Sequence, residues 1–230
     1  MIYVISDIHG EYNQFMSLLE KIHFSESDTL YVLGDVVDRG PNPIKTLLYM
    51  MNKSNIIPIV GNHEVMAITC LKLLIHEIDR ESDMFILEKI LDWTQNGGKS
   101  TVKEFRELDK KMKQDVIEYI ENLKLYKHLK VENKEYILVH SGLDNFSPNK
   151  KLEDYTLDEL VWAWPDYGKP YYDDIYVVTG HTPTMSIECN IKPGYIFKCN
   201  NHIAIDCGAS FEGGRLAAIC LDTGKEFYSR

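Results

Sequence analysis

The chain has 230 residues, of which 44% are hydrophobic and 26% are charged, and its formal net charge is −10. This length suits one large domain with a substantial core, and the composition is that of an ordinary globular protein. The acidic balance argues against stable binding to nucleic acid or to an anionic membrane, because both need a positive field. We therefore expect a single domain over residues 1–230 with neither kind of partner. The oligomeric state is left open.

The start of the chain, MIYVISDIHG, has no basic n-region and no cleavage site of the kind that a signal peptide needs. No apolar run approaches the ~20 residues of a membrane span. The five cysteines form no CxxC pair, which disfavours a zinc ribbon or a disulfide framework. We therefore expect reduced thiols and a cytoplasmic location.

The first third of the chain alternates strand and helix signals. Apolar runs at residues 2–5, 29–33 and 56–60 predict three strands, and apolar residues at helical spacing follow each run. This alternation is typical of an α/β sheet with crossover helices. Each predicted strand ends at a polar cluster (SDIHG, GDVVDRG and GNHE), and in such sheets ligands gather beyond the carboxyl ends of the strands.

The rest of the chain changes character twice. Residues 82–123 show mixed-charge helical patterns broken at Asn96-Gly97-Gly98, which predicts a helical cap insertion over about residues 64–124. Turn signals at residues 132–134 and 222–224 indicate antiparallel hairpins in a second sheet. The predicted strands of this part are residues 125–131, 136–139, 175–179, 195–198, 203–205, 216–221 and 226–228.

Six side chains that could ligate metal ions fall just past predicted strands. Asp7 and His9 are two residues apart after the first strand, so an extended backbone there would aim both side chains the same way. The other four follow four further strands, and strand ends can bring such groups to one point. The candidate ligands are Asp7, His9, Asp35, Asn62, His140 and His181.

The chemistry of this set selects the metal. Carboxylate, imidazole and amide oxygen without thiolate suit Mn, Fe, Zn, Co or Ni better than a pure magnesium or calcium cage. Two divalent ions that lie about 3.5–4 Å apart can share one carboxylate ligand. Together they can bind a phosphate and lower the pKa of a water molecule that both ions bind. The hydroxide so formed would attack phosphorus directly. We expect two ions, with Mn²⁺ as the first candidate.

Each of these residues also has an ordinary structural explanation. Asp7 and His9 could be a hydrogen-bonded turn, and Gly34-Asp35 and Gly61-Asn62 could be turns chosen for backbone reasons. His140 alone could be a core histidine with its hydrogen bonds satisfied. Their joint occurrence at strand ends is what favours a metal centre. The remaining histidines have no such setting and are expected to be structural or at the surface: His23, His76, His128 and His202.

Five motifs together resemble the signature series of the metallophosphoesterases. More narrowly, they resemble the serine/threonine phosphoprotein phosphatase family of the calcineurin-like superfamily, in its short bacterial and bacteriophage-lambda form. A weaker resemblance extends over residues 93–98 and 205–209, where Cys207 replaces the threonine that is usual in the family. The motifs are Asp7-Ile8-His9-Gly10, Gly34-Asp35-Val36-Val37-Asp38-Arg39-Gly40, Gly61-Asn62-His63-Glu64, His140-Ser141-Gly142 and Gly180-His181-Thr182.

The resemblance implies roles for the metal ligands. Asp35 would bridge two ions, and Asp7 and His9 would complete the first of these sites. The ligands of the second ion would be Asn62, His140 and His181.

The resemblance also implies a proton donor and a phosphate ligand. His63 would be the general acid for the leaving oxygen, and Asp38 would hold its ring, since a neighbouring carboxylate raises the pKa of an imidazole. Arg39 would hold phosphate oxygens through its planar fork.

One departure from the family pattern concerns the substrate. Family members usually carry a second phosphate-binding arginine, which by our alignment falls at Trp164. Either Lys169 or Arg215 replaces it, or an aromatic ring at this place stacks on a nucleobase, or Trp164 is a core or rim residue and activity is merely reduced. We favour the last of these interpretations.

These observations predict an α/β (α+β) fold, a four-layer sandwich of two mixed β-sheets flanked by helices, with a helical cap. The expected function is hydrolysis of phosphate monoesters, with phosphoserine or phosphothreonine in proteins as the substrate. An alternative is a dinucleoside polyphosphate such as diadenosine tetraphosphate, or another nucleotide, which Trp164 favours and Glu64 of GNHE disfavours. A further alternative is a phosphate-binding module without turnover, suggested only by the missing arginine.

Overall fold

A computed structural model describes residues 1–75 and 83–230 of the chain. The first of its two sheets has the strand order β10-β9-β1-β2-β3. Its three parallel strands are β1 (Ile2–Ile5), β2 (Thr29–Leu33) and β3 (Ile56–Ile59). Two antiparallel strands extend it beside β1, namely β9 (Ala217–Cys220) and β10 (Glu226–Tyr228).

The second sheet has the order β4-β5-β6-β8-β7 and is also mixed, with β5, β6 and β8 parallel to one another. Both predicted hairpins form, one between β4 and β5 and the other between β9 and β10. The strands of this sheet are β4 (Tyr126–Val131), β5 (Lys134–Val139), β6 (Ile175–Thr179), β7 (Phe197–Cys199) and β8 (His202–Ala204).

Seven α-helices lie among the described residues. The predicted cap corresponds to α3–α6, and a kinked segment, Thr94–Gly98, joins α4 to α5. Whether the whole chain is one domain stays a prediction. His76, and the side chains of residues 82–87 at the start of the predicted helical pattern, lie outside the described side chains. The helices are α1 (Tyr12–Lys21), α2 (Pro43–Met51), α3 (Asn62–Ile75), α4 (Asp83–Trp93), α5 (Lys99–Glu107), α6 (Lys110–Glu121) and α7 (Leu157–Val161).

The alternation of side chains along each strand divides the core into layers. In β1, Val4 packs between the two sheets, whereas its neighbour Ile5 faces the layer of helices. The cap belongs to that same helix layer, because Phe105 and Ile117 join the core cluster of Ile5. The predicted sandwich of two mixed sheets flanked by helices is therefore confirmed. A separate hydrophobic cluster lies on the outer face of the second sheet. Among the described residues, α7 is the only regular α-helix that contributes to it, so helices cover this face less than the first sheet.

The sequence predicts reduced thiols and no apolar run long enough to span a membrane. All five cysteines are free thiols. Among residues 1–75 and 83–230, no helix is both long enough and apolar enough to cross a bilayer. The cytoplasmic location stays a prediction.

Candidate metal centre

The loops that follow the central strands of both sheets meet at one edge of the sandwich. The amide N–H of Asp7, after β1, donates to the carbonyl of Gly34, after β2 (3.1 Å). In the second sheet, the amide of Gly180 donates to the carbonyl of His140 (2.7 Å). The two sheets are joined where the amide of His181 donates to the Asp7 carboxylate (3.0 and 3.2 Å). All six predicted ligands lie on these loops or at the start of α3.

The backbone at these loops is not extended, so the argument that placed Asp7 and His9 on one side of an extended chain is wrong. Both residues have left-handed backbone angles (φ 50° and 47°), as do Asp35 (φ 53°) and His181 (φ 63°). Non-glycine residues adopt this region at a cost, and such residues cluster at ligand and active sites. Successive left-handed turns, rather than the pleat of a strand, aim these side chains.

The hydrogen bonds of two buried imidazoles fix which nitrogen faces the centre. His9 Nδ1 lies 3.0 Å from the carbonyl oxygen of Val37, and His140 Nδ1 lies 2.6 Å from that of Leu33. Because a carbonyl only accepts, each Nδ1 must donate, and burial lowers the pKa of both rings. Each Nε2 therefore carries a lone pair, and each lies 3.5 Å from an oxygen of Asp35.

This arrangement fits a metal ion. His9 Nε2 is buried and has no hydrogen-bond partner. Two imidazole lone pairs face a carboxylate with no proton between them, which is unfavourable unless a cation lies there. Donation of the other ring N–H to a backbone carbonyl is also the usual arrangement of a metal-ligating histidine.

The amide of Asn62 provides a second point of convergence. Its Oδ1 lies 2.8 Å from His140 Nε2 and 3.0 Å from His181 Nδ1. Burial, followed by the neighbouring His140, lowers the pKa of His181 to about 4, so this ring is neutral and able to ligate. Three of the predicted ligands thus converge at this point.

Asp35 lies between the two groups of ligands. Its carboxylate belongs to one potential metal-binding group with His9 and His63, and to another with His140 and His181. Burial disfavours its charge, but the surrounding imidazoles outweigh burial and lower the pKa of Asp35. A side chain at Gly61 would overlap this carboxylate, so only glycine allows the close approach.

Asp7 lies beside this pair of groups rather than inside either of them. Burial, followed by the carboxylates of Asp206 and Asp35, raises the pKa of Asp7 well above its usual range. Asp206 is also buried, and burial together with Asp35 raises its pKa to about 6. Neighbouring buried carboxylates repel one another when both are ionised, and a divalent cation between them would stabilise the ionised forms. Asp206 was not predicted as a site residue, although the sequence had pointed to residues 205–209.

His63 has a different environment from the six predicted ligands. Its Nδ1 lies 2.7 Å from Oδ2 of Asp38, and its Nε2 lies 3.1 Å from Nη2 of Arg39. Burial disfavours the imidazolium, but the carboxylates of Asp35 and Asp38 outweigh burial and raise the pKa of His63. The predicted pairing of His63 with Asp38 is therefore present in the geometry, whereas the contact of Arg39 with His63 was not predicted.

Glu64 has a part in the site that motif reasoning did not assign. It is fully buried, and its carboxylate accepts four backbone N–H groups, two at each oxygen. Burial, followed by Asp35, raises its pKa to about 7, although these hydrogen bonds oppose the rise. The carboxylate ties the start of α3 to the loop that carries Asp35. Its donors are Asp35, Val36, Val37 and Gly61.

The aromatic residue in place of the expected arginine lies at the rim of the site. Trp164 is 71% exposed and its ring meets the His181 ring at 5.3 Å, so it is not a core residue. The two proposed replacements are engaged with other groups. Lys169 pairs with Asp166 at 3.3 Å, and the guanidinium of Arg215 stacks on a tyrosine ring at 4.3 Å.

Residues 1–186 match the sequence profile of a family described as calcineurin-like phosphoesterase. Among curated proteins, the chain is 28% identical to the asymmetrical bis(5'-nucleosyl)-tetraphosphatase PrpE of Oceanobacillus iheyensis, over 98% of this chain and 90% of that protein. It is 27% identical to serine/threonine-protein phosphatase 2 of Salmonella typhimurium, over 94% of this chain and 90% of that protein.

A solved structure described as a putative diadenosine tetraphosphatase superposes with a TM-score of 0.61. The match covers 99% of this chain and 91% of the other, with 20% sequence identity. At this identity, the likeness shows the shared fold.

The hydrogen bonds of Glu64 lead to a testable prediction. Glu64→Gln replaces one acceptor oxygen by an N–H₂ group, which leaves two buried backbone N–H groups without a partner, at about 1–3 kcal/mol each. We expect a lower melting temperature in calorimetry. We also expect metal affinity in titration calorimetry to be about 10–100-fold weaker, as for other groups that orient metal ligands.

Glu104→Gln is the matched control, because Glu104 accepts the backbone N–H groups of Ile44 and Lys45 at the start of α2. That variant should lose some stability and keep its metal affinity. Unchanged metal affinity in Glu64→Gln would contradict the role assigned to Glu64.

Proposed function

This chain belongs to the calcineurin-like phosphoesterase family, and we propose that it is a metal-dependent phosphatase of phosphate monoesters. We further propose that its substrates are phosphoserine and phosphothreonine in proteins. The observation that carries the proposal is the shared position of Asp35 between two ligand groups whose imidazole lone pairs face it. Once it holds cations, such a centre suits a phosphate ester, because the negative oxygens of the ester are stabilised by positive charge beside them.

We propose that the site holds two divalent ions, with Mn²⁺ as the first candidate. Asp7 and His9 would ligate one ion and Asp35 would bridge the two. When bound, the ions would supply positive charge for the phosphate and activate a water for direct attack on phosphorus. The ligands of the second ion would be Asn62, His140 and His181.

The remaining steps are assigned to this chain's own side chains. Arg39 is exposed and would hold phosphate oxygens with its guanidinium group. In the structure this group donates to Nε2 of His63, so that nitrogen carries no proton there. A bound phosphate would draw the guanidinium away and leave Nε2 free to take up a proton from solvent. His63 would then donate a proton from Nε2 to the leaving oxygen as the P–O bond breaks, with Asp38 holding the ring through Nδ1.

Two substrate classes have specific support. The protein-phosphatase proposal is supported by the motif series and by the Salmonella typhimurium relative, which is named a serine/threonine-protein phosphatase. A second candidate is hydrolysis of dinucleoside polyphosphates. It is supported by the Oceanobacillus iheyensis relative, which is named a bis(5'-nucleosyl)-tetraphosphatase, and by the exposed ring of Trp164 at the rim.

The first experiment is an assay of the purified protein with Mn²⁺ on a phosphoserine peptide, p-nitrophenyl phosphate and diadenosine tetraphosphate. The proposal predicts metal-dependent turnover with the highest kcat/KM on the peptide. A higher kcat/KM on the dinucleotide would support the second candidate. Binding without turnover of any substrate would contradict both and indicate a binding module.

His63→Asn tests the proton donor. We expect kcat on a phosphoserine peptide to fall by about 10²–10⁴-fold, the usual share of a general acid, while the bound metal is retained. The loss on p-nitrophenyl phosphate should be smaller, because p-nitrophenolate leaves without protonation. An equal loss on both substrates would show that His63 has another role.

Trp164→Arg tests the rim. Because Trp164 is largely exposed, the melting temperature should be unchanged. A guanidinium that reaches the phosphate should raise kcat/KM on the phosphoserine peptide, by about tenfold for each 1.4 kcal/mol recovered. A selective loss on diadenosine tetraphosphate would instead indicate that the indole stacks on a base, at about 1–3 kcal/mol. Unchanged kinetics on every substrate would show that Trp164 does not take the place of the family's arginine.

A further inference from the structure

Asp38, the proposed partner of His63, is held by two side chains of the cap. The Asp38 carboxylate is fully buried, and its Oδ2 accepts the indole N–H of Trp93 (2.8 Å) in addition to Nδ1 of His63 (2.7 Å). Oδ1 accepts the hydroxyl of Thr101 (2.6 Å), whose oxygen in turn accepts the amide N–H of Asp38 (3.0 Å). Both carboxylate oxygens are therefore occupied, and the group cannot rotate without breaking hydrogen bonds.

The kinked segment Thr94–Gly98 allows the cap to reach this carboxylate. Its backbone turns at Gly97 (φ 109°), whose carbonyl accepts the amide N–H of Arg39 (3.0 Å). A side chain at Gly98 would overlap the indole of Trp93. The cap is thus bonded both to the carboxylate of Asp38 and to the backbone of the following residue.

Neither cap residue is placed to act on substrate directly. Trp93 is 1% exposed and Thr101 has no exposed surface, so any effect of these side chains on the reaction passes through Asp38. A buried indole N–H also needs an acceptor for stability alone, so a purely structural role is the competing interpretation. The two interpretations differ in how the rate depends on the leaving group.

We propose that Trp93 and Thr101 are positioning residues for proton transfer, which lock the Asp38 carboxylate and so aim Nε2 of His63 at the leaving-group oxygen. This inference rests on the proposed role of His63 as the general acid. In the step, His63 loses its Nε2 proton to the leaving oxygen as the P–O bond breaks. Asp38 stays a carboxylate, and neither Trp93 nor Thr101 transfers a proton.

The test uses four variants of the full chain, loaded with metal. Trp93→Phe removes the N–H and keeps a buried aromatic ring, whereas Thr101→Val removes the hydroxyl and keeps the shape of the side chain. Thr101→Ser keeps the hydroxyl and should have the kcat of the wild-type protein on both substrates. The matched control is Thr46→Val, because Thr46 in α2 is equally buried and its hydroxyl donates to the carbonyl of Asn42, the residue before that helix (2.7 Å).

The measurement is kcat on phenyl phosphate, a poor leaving group, and on p-nitrophenyl phosphate, a good one. For Trp93→Phe and Thr101→Val we expect a loss of about tenfold or more on phenyl phosphate, within the share of a general acid. On p-nitrophenyl phosphate the loss should be about threefold at most, and bound metal should be unchanged. Thr46→Val should lower both rates equally or not at all.

Several results would overturn the inference. One is an equal loss on both substrates, which would mean a structural role, and another is no loss on either. If Trp93→Phe does not fold, Thr101→Val and Thr101→Ser decide alone, since the first replaces the hydroxyl by a methyl group and the second removes the methyl group and keeps the hydroxyl.

His63→Asn, measured on the same two substrates, separates this inference from the proposed function. If His63→Asn shows no leaving-group dependence, the general-acid role is wrong and the inference falls with it. If His63→Asn shows the dependence and the cap variants do not, the general-acid role stands and only the inference is wrong.

Discussion

The constraint on which the site depends is that electron-pair donors face one another in its centre. His9 and His140 each give their Nδ1 proton to a backbone carbonyl, which leaves both Nε2 lone pairs directed at Asp35. In a buried place this arrangement is unfavourable for the protein alone and favourable around cations. Left-handed backbone turns at Asp7 and His181 direct the side chains of these two residues. The absence of a side chain at Gly61 leaves room for the Asp35 carboxylate.

The two-sheet architecture explains why such a centre can form in a chain of this size. Parallel strands end at the same edge of a sheet, so their following loops collect side chains from distant parts of the sequence. Here the first sheet contributes Asp35 and the second contributes His140, and a hydrogen bond from His181 to Asp7 joins the two edges. Glu64 then fixes the loop after β2 by four hydrogen bonds from backbone N–H groups, which holds Asp35 in place beside the start of α3.

The strand positions and part of the site could be predicted from the sequence, because short local stretches of residues determine them. The strands were placed within a few residues of their observed positions, since apolar runs and turn residues report strand ends directly. The motif series also paired His63 with Asp38, as the structure has them.

Other features could not be predicted, because they depend on contacts across the chain or on backbone geometry. Positive φ angles at Asp7 and His9 leave no trace in a pattern of apolar residues. The link from Trp93 to Asp38 spans 55 positions in the sequence, and nothing local signals it. The exposure of Trp164 was likewise open, because a tryptophan in a loop can lie in the core or at the rim.

We propose that the facing donors enclose two divalent ions with Asp35 shared between them. A crystal structure of the Mn²⁺-loaded protein, with anomalous scattering recorded at the manganese edge, tests it most directly. We expect two anomalous peaks about 3.5–4 Å apart with the Asp35 carboxylate between them. A single peak, or two peaks with Asp35 bound to neither, would contradict it.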